Sequence, residues 1–69
     1  MPDVTVTVNG QPMPLDEDTS VEKLLALLKV RCAGVAVEVN RAIIPRARMG
    51  TAMLEEGDCV EIVTLVGGG

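Results

Sequence analysis

Two prolines set two residues apart, Pro12 and Pro14, constrain the fold of this 69-residue chain more than any other feature. Neither has an N–H to donate, and alternate residues of a strand present their donors to the same side. One side of Gln11-Pro12-Met13-Pro14-Leu15 therefore cannot pair, so the segment fits only at the edge of a sheet. Prolines there also discourage a stray chain from adding to that edge. A partner for the other side lies just upstream. Val4, Val6 and Val8 alternate with Asp3, Thr5 and Thr7, the period of a half-buried strand. Asn9-Gly10 joins the two segments, and both residue types accept the positive φ of a tight hairpin turn.

The apolar period then changes. Val21, Leu24, Leu25 and Leu28 recur at i, i+3, i+4 and i+7, which predicts one helix with a single apolar stripe. Thr19 is expected to start it, with Glu22 completing a capping box. The acidic loop Asp16-Glu17-Asp18 would then lie at the positive end of the helix dipole. Leu27 falls off the stripe and is expected at the surface. Lys29 and Arg31 suit a helix C-terminus, and Gly34 ends the connection.

Val35-Ala36-Val37-Glu38-Val39 reads as a third strand, turned at Asn40-Arg41 into the short apolar pair Ile43-Ile44. Residues 46–51 read as a loop, Met53-Leu54 as a brief buried segment, and Glu55-Glu56-Gly57-Asp58 as a turn. The last strand is predicted over Cys59–Val66, rich in β-branched residues. Val60, Ile62, Thr64 and Val66 share one of its faces. Cys59, Glu61, Val63 and Leu65 share the other, and Glu61 marks that face as the one meeting solvent. The predicted class is α+β: a β-β-α-β-β order with a short fourth strand, the helix packed on one face of the sheet.

Composition narrows the chemistry. The chain has no histidine and no aromatic residue, which removes the commonest general base and the base-stacking groups of single-strand nucleic-acid binders. Its net charge of −4 repels phosphate backbones and suits a protein partner with a basic docking surface. No metal site is expected. Cys32 and Cys59 stand far apart without a histidine to activate them, and read as small fillers or bystanders. Met1-Pro2-Asp3-Val4 shows neither a basic n-region nor an apolar h-region, and the apolar run at Leu24–Leu28 is far short of a membrane span, so a reducing cytoplasm is the expected setting. At 48% hydrophobic, a domain this small cannot hide all its apolar surface, and the excess is expected to form a binding patch.

Val66-Gly67-Gly68-Gly69 is the remaining reactive possibility. Three glycines cannot pack a core, but without Cβ atoms they can thread a narrow channel, reaching about 10 Å. A carboxylate on Gly69 would be ionised at neutral pH and a poor electrophile. It would need activation by a second protein and ATP. Val63, Leu65 and Val66 are the expected grip beside the tail.

The motifs Val8-Asn9-Gly10-Gln11, Thr19-Ser20-Val21-Glu22-Lys23-Leu24-Leu25, Val35-Ala36-Val37-Glu38-Val39-Asn40 and Leu54-Glu55-Glu56-Gly57-Asp58, followed by Val60-Glu61-Ile62-Val63-Thr64 and the terminal glycines, span the chain. In this order they resemble the ubiquitin-like β-grasp sulfur carriers, and among them the ThiS family of thiamine biosynthesis. The resemblance implies a β-grasp domain over residues 1–66 with its first and last strands parallel at the sheet centre, and a flexible reactive tail over 67–69. It implies that Gly69 is adenylated by an E1-like (ThiF-like) adenylyltransferase using ATP, the chain binding no cofactor of its own. A cysteine desulfurase or other persulfide donor would convert the adenylate to a thiocarboxylate, and a thiazole synthase (ThiG-like) would receive the sulfur. Gly67 and Gly68 would thread the partners' active sites. The chain would act as a co-substrate and not as an enzyme. Arg41 departs from the pattern, standing where a glycine often completes the turn, as does Cys59 at a usually polar position. The same fold and ending serve the small subunit of molybdopterin synthase, carriers for tRNA thiolation and ubiquitin-like modifiers; a plain interaction domain with an idle tail is a further alternative.

Overall fold

The structure is a computed structural model and describes residues 3–65. Five strands form one mixed sheet: β1 (Asp3–Val8), β2 (Gln11–Asp16), β3 (Val35–Val39), β4 (Ala42–Ile43) and β5 (Cys59–Thr64), in the order β2-β1-β5-β3-β4. The helix α1 (Val21–Leu27) connects β2 to β3. As the prolines demand, β2 is an edge strand, with Pro12 opposite Thr7 and Pro14 opposite Thr5. The hairpin turn holds Asn9 at φ 50° and Gly10 at φ 86°. β5 lies at the centre, parallel to β1 and antiparallel to β3.

The core explains this order. Val6, Val21, Leu24, Leu25, Val37 and Val60 are almost wholly buried, with Leu15, Val35, Met49 and Leu54 beside them. One face of the sheet and one stripe of the helix thus share a single aliphatic core, each buried side chain contributing about 1.5–3 kcal/mol of transfer free energy. Leu28 packs against its margin. Leu27, off the stripe, is exposed.

Several boundaries differ from expectation. The helix is capped by Ser20, whose Oγ accepts from Lys23 N at 3.0 Å, and not by Thr19. Thr19 is buried and donates its hydroxyl to Asp16 O at 2.6 Å. With the cap one residue later, Lys23 stands where the box would need Glu22, so no capping box forms. The short strand is Ala42–Ile43, Ile44 instead donating to Val37 O. Residues 46–48 form one 3-10 turn, which turns Met49 into the core. Met53 is exposed and only Leu54 is buried, because Met53 bridges Ser20 at the rim. β5 stops at Thr64, the residue opposite Val35, since β3 begins there and offers no strand beyond it.

The C-terminus of α1 carries a second departure. Lys29 N donates to Ala26 O and Val30 N to Leu25 O, the paired bonds of a Schellman cap. That motif needs a left-handed residue, normally glycine, and here it is Lys29 at φ 61°. Arg41, at φ 71°, fills a comparable position after β3. Each side chain held this way costs about 1 kcal/mol relative to glycine.

Candidate docking site at the exit of the last strand

Residues paired directly across a sheet point to the same face, so the register identifies what the open face carries. Ala36 lies opposite Val63, and Glu38 opposite both Glu61 and Ile43. The face away from the helix therefore presents Val63 and Ala36 nearest the end of β5, then a row of Ile43, Glu38 and Glu61. A shallow concavity on this face is lined by Glu38, Asn40, Arg41, Cys59, Glu61 and Val63. Val63 is 54% exposed and Leu65 60% exposed, as the alternation along the strand predicts. Leu65 does not drift free: its N–H donates to Gly34 O at 2.9 Å, fixing the chain beside the start of β3. The expected sites at Val66, Gly67, Gly68 and Gly69 lie outside the described residues.

Two asparagines lock β5 in register. Asn9 Oδ1 accepts from Ile62 N at 2.8 Å and its Nδ2 donates to Ile62 O at 3.3 Å, while Asn9 N donates to Val60 O. The Asn9 side-chain amide substitutes for a peptide group where β1 has already turned away. Asn40 does the same at the other end, its Oδ1 accepting from Cys59 N at 2.9 Å and its Nδ2 donating to Asp58 at 3.0 Å. Both residues hold positive φ, at 50° and 53°. Asparagine tolerates this conformation better than most residues and can bond locally through its amide. Sequence reasoning read them only as turn formers.

The charge is unevenly placed. Asp3, Asp16, Glu17, Asp18, Glu55, Glu56 and Asp58, seven of the ten carboxylates, lie about the start of β1 and in the turn that leads into β5, which joins the sheet beside Thr7. Glu17, Asp18, Glu55 and Glu56 line one concavity there with Met53. Lys29 and Arg31 lie near the opposite end, in a groove shared with Gly34, Val35 and Thr64. Both cysteines are free thiols: Cys32 packs at the core margin and Cys59 is exposed.

Residues 6–69 match the model of the ThiS family. The chain belongs to that family. The ThiS sulfur carrier protein of Thermus thermophilus is 36% identical over 64 residues, covering 93% of this chain and 98% of the relative. A crystal structure of the ThiS thiamine biosynthesis protein from Geobacter metallireducens superposes with a TM-score of 0.81 at 36% identity, over 96% of this chain and 100% of that one. The ubiquitin-like β-grasp fold of the ThiS family is thus the fold found here. A thiazole synthase from Magnetococcus marinus is 38% identical over 64 residues, 93% of this chain but only 20% of the enzyme. This ThiS-family chain accordingly corresponds to about a fifth of that enzyme's length. Among the described residues no helix is long and apolar enough to cross a membrane.

Proposed function

We propose that the chain carries sulfur for thiazole formation in thiamine biosynthesis, as a thiocarboxylate on Gly69. An E1-like activating enzyme joins the Gly69 carboxylate to the α-phosphate of ATP, releasing pyrophosphate. The acyl-adenylate is electrophilic where the carboxylate was not. A persulfide, supplied by a cysteine desulfurase or another donor, displaces AMP, and two-electron reduction of the resulting acyl disulfide by a thiol leaves the thiocarboxylate. Thiazole synthase then takes the sulfur for the thiazole phosphate. Throughout, the chain is a co-substrate, and ATP is bound by its partner.

The observation that carries this reading is the placement of Val63 near the end of β5 and Leu65 just beyond it, both exposed, in the segment that leads into Val66-Gly67-Gly68-Gly69. Magnitudes explain why they matter. Fixing three glycine backbones in a channel costs about 3–6 kcal/mol, at about 1–2 for each. Val63 and Leu65 are a little over half exposed, so burying the rest of them against a partner returns about 2–3 kcal/mol. That falls short of the ordering cost, so docking also needs contacts elsewhere around the exit. The thiazole synthase relative supports the thiamine branch over molybdopterin synthesis or tRNA thiolation.

Extending the chain by one residue after Gly69 tests the role of the carboxylate. The extended chain should fold normally and accept no sulfur from an activating enzyme, ATP and a persulfide donor. Equal thiolation of both chains would remove Gly69 as the reacting residue.

A further inference from the structure

We infer that Lys29 and Arg31 form a cationic dock for a carboxylate-bearing rim on the activating enzyme, beside the channel that takes the tail. The inference rests on the sulfur-carrier reading and names a second part of the partner surface that reading requires.

Three observations converge. The groove holding Lys29 and Arg31 includes Thr64, the last residue of β5, and Gly34, whose carbonyl accepts from Leu65 N at 2.9 Å. A partner that receives the tail and covers Leu65 therefore meets this groove on the helix side, opposite Val63 on the open face. Second, Lys29 occupies the left-handed position of the helix cap at φ 61°, where glycine is the less strained choice. Strain retained at an exposed position points to a use for the side chain. Third, the net charge of −4 taken alone suits a basic partner surface, but seven of the ten carboxylates lie at or before the start of β5, away from Lys29 and Arg31, so the end that carries the tail is locally cationic and calls for an acidic surface there instead. That arrangement would turn the Lys29 and Arg31 end toward an acidic surface and speed productive encounter.

The test is adenylation of the full chain by the activating enzyme, followed by ATP–pyrophosphate exchange as a function of carrier concentration. The K29E/R31E variant should raise KM roughly tenfold at low salt with little change in kcat, and the gap should shrink at high salt. The R46E/R48E variant, with the same change in net charge elsewhere, should keep KM within about twofold of the native value. Lys29→Gly should separate strain from docking, raising Tm by roughly 2–6 °C while raising KM. Unchanged KM in K29E/R31E would overturn the dock, as would an equal rise in R46E/R48E. If the native chain itself is never adenylated, the sulfur-carrier reading falls and the dock with it.

Discussion

The side-chain amide of Asn9 bonds both backbone groups of Ile62, accepting from its N–H at 2.8 Å and donating to its carbonyl at 3.3 Å. A turn residue of one hairpin thus holds the strand that leads toward the terminal glycines, 53 positions away in sequence. Asn9→Gly keeps the turn's positive φ and removes only this clamp. It should lower stability by about 1–2 kcal/mol and Tm by roughly 4–16 °C. Far-ultraviolet circular dichroism is the suitable readout, since the chain has no aromatic chromophore.

Arg41→Gly should act in the opposite direction. Its φ of 71° is free for glycine and strained for arginine. The variant should gain about 0.5–1 kcal/mol in urea denaturation with an unchanged m-value. A loss of stability would show that the arginine side chain contributes more than its backbone strain removes.

The helix offers an internal contrast. Leu25 is fully buried and Leu27 is 55% exposed, two residues along the same α1. Leu25→Ala should cost about 2–5 kcal/mol, a large share of the total stability expected of a domain this small. Leu27→Ala should stay within about 0.5 kcal/mol. Similar effects for both would mean that the helix packs on a second surface.

Val63→Asp and Leu65→Asp separate docking from folding. Both side chains are exposed, so Tm should move little, while adenylation of Gly69 should fall by at least about tenfold through loss of apolar contact and burial of a charge. Full activity in both variants would remove these residues from the partner surface.

Strands and helix were legible because their periods differ and the punctuation is strong: Asn9-Gly10, Pro12 and Pro14 set the first hairpin and its edge, and the β-branched run after Asp58 set the central strand. The helix start was misread because Thr19 and Ser20 are both good caps, and only packing shows that Thr19 is turned inward. Met49 was invisible as a core residue since it stands alone in a polar loop, carried inward by the turn over Arg46–Arg48. The exposed pair Val63 and Leu65 could be read from alternation with Glu61. The clamps from Asn9 and Asn40 could not, because each joins segments whose pairing no local pattern specifies. Lys29 and Arg31 looked like ordinary helix-end cations until the fold placed them beside Thr64.

Intact mass spectrometry of the chain after incubation with an activating enzyme, ATP and a persulfide donor tests the central claim most directly. The sulfur-carrier account predicts a mass gain of one sulfur-for-oxygen exchange, located on Gly69 by fragmentation and lost when thiazole synthase and its substrates are added. A mass that stays fixed, with an activating enzyme competent on another ThiS-family carrier, would contradict it.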